Sequence, residues 1–202
     1  MDKERFIQLG FQTKNRGIDF IYGIGLGLLI LGLGYGLLIY MKEIFIVKII
    51  FDPEELILVV IHFTIVAIVE EALCRGYILK NLMVSFNKYV ALIVSSLIFS
   101  FLHYFNPNID FIAITDLFFA GILLGISYIY TKNLWFPIAL HLSWNLFQTL
   151  LGFNVSGQDS YSIIEIDIHQ ANLLNGGAFG FEGSILAIVA QLFAIIGIAV
   201  YY

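Results

Sequence analysis

Charge is scarce in this sequence. Asp, Glu, Lys and Arg together make up 12% of its 202 residues, whereas soluble domains carry about 25%. Hydrophobic residues account for 60%, and the mean hydropathy is +0.92. This composition excludes an ordinary soluble domain and predicts an integral membrane protein. The few positive residues form no basic stripe, so we expect no nucleic-acid partner.

Cysteine is also nearly absent. Because Cys74 is the single cysteine, no intramolecular disulfide can form, and the redox compartment is not indicated. A buried thiol behaves mostly as a small apolar group, and the sequence pairs no base with Cys74, so we expect no catalytic role for it. A cleavage pattern of small residues is missing after the first apolar run, which is also too long for a signal-peptide core. We therefore expect that run to be a retained membrane span.

The apolar runs predict the fold class. Six of them are long enough to cross a bilayer: residues 18–41, 55–82, 88–105, 110–131, 134–152 and 184–202. The sequence predicts an all-α, polytopic membrane helix bundle of about six transmembrane helices, forming a single membrane domain over residues 1–202. The one long connection, residues 153–183, contains Asp159, Glu165, Asp167 and Glu182 but no Lys or Arg. We expect it to be an acidic extramembrane loop.

Glycines recur at helical spacing in two of the runs. Gly23 and Gly27, Gly32 and Gly36, and Gly121 and Gly125 each form a Gly-x-x-x-Gly pair. Such pairs usually mark faces where helices pack closely. A glycine-lined substrate path along the first helix is the alternative interpretation.

The basic residues predict the orientation. If the N-terminus is cytoplasmic, the outer side carries only Lys42 and Lys48, and the acidic loop lies outside. The inner side then collects Lys3, Arg5, Lys14, Arg16, Lys80, Lys88 and Lys132. This asymmetry follows the positive-inside rule and predicts a cytoplasmic N-terminus.

Three charged residues lie in the middle of the second run, which spans residues 55–82. An ionisable group in hydrocarbon costs several kcal/mol and indicates function. Glu71 and Arg75 are four residues apart, with the acid first, which favours an ion pair. Glu70 points about 100° away from them. We expect Glu70 to be the carboxylate that is left free to act as a base, and a purely structural charge cluster is the alternative.

Polar residues also occur in the third and fifth runs. Phe99-x-x-x-His103 closes the third run, and His141-x-x-x-Asn145 lies within the fifth, where both polar side chains share a helix face. A single histidine in a membrane helix is often only an interhelical hydrogen-bonding residue. Three polar features on three apolar helices instead favour one intramembrane polar site. Together they offer a base, two imidazoles and an amide donor, a set that suits water activation and oxyanion stabilisation.

The ordered motifs Glu70-Glu71-x-x-x-Arg75, Phe99-x-x-x-His103 and His141-x-x-x-Asn145 resemble those of a known family. This is the CAAX-processing and bacteriocin-processing intramembrane protease family, also called Abi or type II CAAX prenyl endopeptidase-like. The resemblance covers about residues 55–152, the motif-bearing core. It implies an intramembrane endopeptidase that hydrolyses a peptide bond of a membrane-associated peptide or lipidated peptide. No His-Glu-x-x-His, Gly-x-Ser-Gly or Gly-x-Gly-Asp motif indicates another intramembrane protease class.

The resemblance also implies roles for the motif residues. Glu70 and His103 would activate a water molecule, His141 and Asn145 would stabilise the oxyanion, and Glu71 and Arg75 would order the site. This mechanism needs no cofactor. Zinc held by Glu70, His103 and His141 is the less favoured alternative. Two further hypotheses stay open: a non-catalytic membrane immunity or scaffold protein, and a small transporter in which the same residues would form a relay.

Two further expectations concern placement. In a bundle of straight helices, the depths of His103 and His141 differ by roughly 13 Å, which conflicts with a shared site. His62 lies eight residues before Glu70 on a different helix face, so we expect it to form an interhelical hydrogen bond or to lie at the membrane interface rather than to be catalytic. His169 lies in the long loop, and we expect it to be solvated. The composition and the resemblance together predict an integral protein of a prokaryotic plasma membrane that contacts lipid.

Overall fold

The computed structural model describes residues 6–202, and Lys3 and Arg5 of the orientation argument lie outside this range. The chain is mostly helical. Its helices are α1 (Gly17–Tyr40), α2 (Pro53–Glu71), a π-helix (Ala72–Leu79), α3 (Lys80–Ser85), α4 (Lys88–Leu102), α5 (Phe111–Thr131), α6 (Trp135–Leu150) and α7 (Ile185–Tyr201). Short 3-10 helices cover Phe6–Leu9, Gly177–Phe179 and Phe181–Gly183. Two strands, β1 (Phe45–Ile49) and β2 (Ile164–Asp167), pair antiparallel.

Side-chain caps fix where several helices begin. Asp52 accepts hydrogen bonds from the backbone N–H groups of Glu54 and Glu55, and Pro53 is the first helical residue of α2. Asn87 and Asp110 cap α4 and α5 in the same way. These side chains satisfy N–H groups that have no partner within the helix. Each of the six predicted runs forms a helix, with ends shifted by a few residues.

The predicted helix bundle is confirmed. Three helical segments are long and apolar enough to cross a membrane: Gly17–Tyr40, the continuous α2–π–α3 segment Pro53–Ser85, and Phe111–Thr131. The helices Lys88–Leu102 and Ile185–Tyr201 are apolar but shorter. The number of crossings therefore stays a prediction.

The connection between α6 and α7 is folded against the helices over much of its length. Its β2 strand pairs with β1, which follows α1, and Tyr161 Oη donates to the Ile50 carbonyl. Phe153 and Phe181 are buried in one apolar cluster with α1 and α6 residues. Phe179 is buried in a second cluster, which includes Phe99 and Leu140. These apolar side chains anchor a segment that composition alone marks as polar.

The glycine pairs differ in what they pack against. A Cβ on Gly23 would lie 2.6 Å from the Phe136 carbonyl oxygen on α6, and one on Gly121 would lie 2.8 Å from Ser96 on α4. Close packing is confirmed for these two pairs. It is wrong for Gly32 and Gly36, which have no neighbouring atom within 4 Å of a built Cβ. The glycine of that stretch in close contact is Gly34, which lies against the Phe181 ring.

The connections between helices lie at two ends of the helix bundle. At one end, the Gly10 carbonyl accepts from Leu134 N, and Lys80 Nζ donates to the Gln8 carbonyl. At the other, Lys48 pairs with Glu165 at 3.1 Å. Lys80 and Lys48 therefore lie at different ends, as the orientation argument requires. Which end is cytoplasmic stays a prediction.

Replacement of Gly23 by Ala should destabilise the bundle by about 1–3 kcal/mol, because the added methyl group meets α6 backbone that cannot move aside. Gly32→Ala is the matched control. It adds the same group into open space and should be neutral or slightly stabilising. Thermal unfolding of both variants in one detergent measures the difference. Equal melting temperatures would contradict the packing described for α1 and α6.

Candidate active site

The acidic motif lies where α2 changes into the π-helix. Glu70 and Glu71 end α2, and Arg75 lies in the π-helix Ala72–Leu79. A π-helix has i→i+5 hydrogen bonds, and such segments occur often at functional sites. The widened turn alters the angular positions of Arg75 and the residues after it relative to α2.

Glu71 is the centre of a buried ionic network. Its Oε1 accepts from Arg75 Nη1 at 2.8 Å and from His141 Nδ1 at 2.9 Å. Arg75 Nη2 also donates to the Gly121 carbonyl at 3.1 Å, and its guanidinium carbon lies 4.4 Å from the centre of the Phe99 ring. The side chains of Glu71 and Arg75 are 0% and 3% exposed. The network thus joins the π-helix, α4, α5 and α6, and it orients His141.

Glu70 faces both histidines. Its Oε2 lies 3.8 Å from His103 Nε2 and 4.0 Å from His141 Nε2. His103 Nδ1 lies 2.9 Å from the Phe99 carbonyl oxygen. Carbonyl and carboxylate oxygens only accept, so Nδ1 carries a proton in both rings and Nε2 of each faces Glu70. Glu70 Oε2 is buried and has no hydrogen-bond partner among the described residues.

These side chains line one cavity of about 600 Å³. Asn145 is 5% exposed and lines the same cavity as Glu70, His103 and His141. The four residues that the sequence proposes as catalytic are therefore brought together, with Glu71 and Arg75 directly behind them. Apolar side chains, including Phe63, Leu73 and Leu102, complete much of the lining.

The expected mismatch in depth does not occur. Helix α4 ends at Leu102, and His103 is the residue that follows it. The structure places Nε2 of His103 and Nε2 of His141 within 4.0 Å of Glu70 Oε2. The two helices therefore do not start at the common depth that a bundle of straight helices assumes. The connection after α4 contributes Asn106 to the cavity lining.

Two histidines and the cysteine lie outside the motifs. His62 lines the cavity, and the expectation that it is not catalytic stays a prediction. His169 is remote and exposed, and it pairs with Asp167 at 2.6 Å. Cys74 is buried and lines the cavity. Nothing in its surroundings changes the prediction that it has no catalytic role.

Sequence reasoning missed a second polar group in the cavity. Asp116, Glu182 and Gln191 line it and are 0%, 6% and 1% exposed. Asp116 was detectable, because a carboxylate within the apolar run 110–131 is itself a functional signal. Glu182 was not, because its segment resembles a solvated loop in composition.

The histidines and Glu70 do not have the spacing of a zinc site. Tetrahedral ligands at about 2.0–2.1 Å from zinc lie roughly 3.4 Å apart, whereas the separations to Glu70 Oε2 are 3.8 and 4.0 Å. Within residues 6–202, no group of three His, Cys, Asp or Glu is arranged to hold a metal ion. We therefore derive no step through a metal.

The comparisons with known proteins agree with the motifs. Residues 52–147 match the model of a family described as type II CAAX prenyl endopeptidase Rce1-like. This segment of the chain is similar to that family. The matched segment contains all seven motif residues from Glu70 to Asn145. The match confirms the resemblance that the motifs predict, and the family implies a protease. Searches among curated proteins and among solved structures found no match.

Loss of Arg75 should destabilise the protein strongly. Arg75→Gln leaves Glu71 as a buried carboxylate without its guanidinium, which costs about 3–5 kcal/mol when one partner of a buried pair is removed. The control is Lys48→Gln, since Lys48 and Glu165 form an exposed pair worth about 0–1 kcal/mol. Unfolding in detergent compares the two. A similar small effect for both variants would contradict the buried network.

Glu182 should make stability depend on pH. Burial raises the pKa of its carboxyl above the ordinary value of 4.5, although two hydrogen bonds from Ser156 oppose the shift. A raised folded-state pKa means that its stabilising contribution is full below about pH 4.5 and is lost as the pH rises through the folded-state pKa. Glu182→Gln can keep both bonds to Ser156 through its amide oxygen.

The variant should therefore lose less stability than the unmodified protein between about pH 4 and pH 8. Melting temperatures measured across this range test the prediction. Parallel profiles for the two proteins would show that Glu182 has an ordinary pKa.

Proposed function

We propose that the protein is an intramembrane endopeptidase that uses Glu70 and His103 to activate water. The observation that carries this proposal is the position of Glu70 Oε2, which faces the Nε2 atoms of His103 and His141 inside a cavity. The family match supplies the reaction class, and the geometry supports the roles of the individual residues.

The separations suit a bridging water molecule. Polar atoms more than 3.5 Å apart are often linked through water. A water oxygen about 2.8 Å from two atoms that are 3.8–4.0 Å apart subtends an angle of roughly 90°. One water can therefore contact Glu70 and both histidines without a large movement of any of them.

Counting protons assigns the roles. Glu70 Oε2 and two neutral Nε2 atoms are three acceptors, whereas water has two hydrogens. One more proton is needed in the site, and we place it on His141, whose Nδ1 is held by the Glu71 carboxylate. Glu70 and His103 then accept the two hydrogens of the water. His141 becomes a donor, as stabilisation of an oxyanion requires.

The reaction follows from this arrangement. Glu70 takes a proton as the water oxygen bonds to the scissile carbonyl carbon, and the carbonyl oxygen becomes an oxyanion. His141 and Asn145 donate hydrogen bonds to it. The carbon–nitrogen bond then breaks, and the proton held by Glu70 passes to the departing nitrogen. The products are a carboxylic acid and an amine, and transfer of the acid's proton to the amine at neutral pH gives a carboxylate and an ammonium.

The substrate class follows from the family. Its description specifies a CAAX prenyl endopeptidase, so we propose a membrane-bound peptide that ends in a prenylated Cys-aliphatic-aliphatic-X sequence. The apolar lining contributed by Phe63, Leu73 and Leu102 suits aliphatic side chains and an adjoining lipid. Activity measurements separate this proposal from an immunity, scaffold or transport role.

Glu70→Gln should abolish hydrolysis while the protein still folds, because an amide cannot take the proton from water. The assay uses purified protein in liposomes, with cleavage of a farnesylated CAAX peptide followed by mass spectrometry. Glu54→Gln is the matched control, since Glu54 lies exposed at the start of α2. Retained cleavage in Glu70→Gln would refute the mechanism. Loss of cleavage with a chelator, restored by Zn²⁺, would instead support the zinc alternative.

Asn145→Ala should lower kcat by about a hundredfold or more, because one oxyanion donor is worth roughly 3 kcal/mol in the transition state. KM should change little, since the donor acts mainly after attack. Steady-state kinetics on the same peptide measure both constants. A rise in KM with unchanged kcat would assign Asn145 to substrate binding instead.

A further inference from the structure

A second group of buried polar residues faces the cavity and has no part in the proposed reaction. Asp116 lies on α5, Gln191 on α7 and Glu182 in the 3-10 helix that precedes α7. All three are at least nine-tenths buried and line the same cavity as Glu70. Carboxylates are seldom buried in this way without a partner.

The contacts leave several acceptor atoms unpaired. Gln191 Nε2 donates to Asp116 Oδ1 at 2.9 Å. The second oxygen of Asp116, Oδ2, and Gln191 Oε1 are both buried without a hydrogen-bond partner among the described residues. Glu182 Oε2 accepts from the backbone N and the Oγ of Ser156. The group therefore presents mostly oxygen atoms to the cavity, and its one remaining donor is the second N–H of Gln191 Nε2.

The charge around this group is not balanced. Among the described residues that line the cavity there is no lysine or arginine, whereas Glu70, Asp116, Asp159 and Glu182 are acidic. An unpaired buried carboxylate is costly, and a cation that hydrogen-bonds to it offsets that cost. A carboxylate or phosphate ligand placed against Asp116 and Glu182 would meet two acidic side chains of like charge.

We infer that Asp116, Gln191 and Glu182 form a subsite for a primary ammonium group. An ammonium has three N–H donors and no acceptor, which matches a set of carboxylate and amide oxygens contributed by α5, α7 and the 3-10 helix before α7. A metal ion fits less well, because within residues 6–202 no three metal-ligating side chains are grouped for one.

Two sources can supply the ammonium. This step rests on the proposed function: hydrolysis adds water across the peptide bond and releases a fragment with a new α-amine, which takes up a proton at neutral pH. The released fragment would then bind through its α-ammonium. Alternatively, a lysine side chain of the substrate occupies the subsite. Both sources share one chemistry and differ in the ligand that binds.

The test measures binding rather than cleavage, so it does not depend on proteolysis. The protein carries Glu70→Gln and is held in nanodiscs. The probes are an apolar tripeptide amide with a free N-terminus, its N-acetylated form, and an N-acetylated tripeptide amide that contains lysine. Calorimetry gives Kd for each, with and without Asp116→Asn. Asp159→Asn is the control, because Asp159 is an exposed acid lining the same cavity.

We expect a probe with an ammonium group to bind at least about tenfold more tightly than the N-acetylated tripeptide, and Asp116→Asn to remove this difference. Tight binding of the free N-terminus identifies the α-ammonium, and tight binding of the lysine peptide identifies a side chain. If Asp116→Asn fails to fold, Glu182→Gln replaces it, with a loss of about threefold or more as the supporting result.

Equal Kd values for all three probes would overturn the subsite. Tighter binding of the ammonium probes that persists in both Asp116→Asn and Glu182→Gln would also overturn it. So would a loss of that tighter binding to the same extent in Asp159→Asn. If the Glu70→Gln protein binds the ammonium probes but the unmodified protein cleaves no CAAX peptide, the proposed function is refuted and the subsite is left intact.

Discussion

Burial of the Glu71 carboxylate between Arg75 and His141 is the constraint on which the rest of the site depends. A charge of this kind is tolerated inside the protein only when its partners satisfy it. Arg75 neutralises Glu71 and is itself held by the Gly121 carbonyl and the Phe99 ring. Glu71 in turn fixes which nitrogen of His141 faces the cavity. One ion pair thus sets the relative positions of four helical segments.

Close packing of the helices holds the residues of this network in position. Gly121 lets α5 approach α4 closely, and Gly23 lets α1 approach α6, the helix that carries His141 and Asn145. Phe179 and Phe181 hold the 3-10 helices against the same core. The site is therefore built on helices that pack closely at these glycines, and this packing fixes the distance between them. Such rigidity keeps Glu70 and the two imidazoles at a constant spacing, as catalysis by positioned groups requires.

Local spacing explains which features were predictable from sequence. The Glu71–Arg75 pair follows from helical geometry alone, and the separate direction of Glu70 follows from the same rule. The convergence of His103 and His141 on Glu70 could not be derived, because it depends on how α4 and α6 are placed relative to each other, which spacing within each helix does not determine. The π-helix and the burial of Glu182 were also missed. Both depend on tertiary contacts, which outweigh local propensity and composition.

The most direct test of the account is nitrogen-15 NMR of His103 and His141 in liposomes at neutral pH, which reports the protonation of each ring nitrogen. We predict a proton on Nδ1 of both rings, a second proton on His141 Nε2, and altered Nε2 signals for both histidines in Glu70→Gln. An unprotonated His141 Nδ1, or Nε2 signals that do not respond to the loss of the Glu70 carboxylate, would contradict a site in which both imidazoles face one carboxylate oxygen.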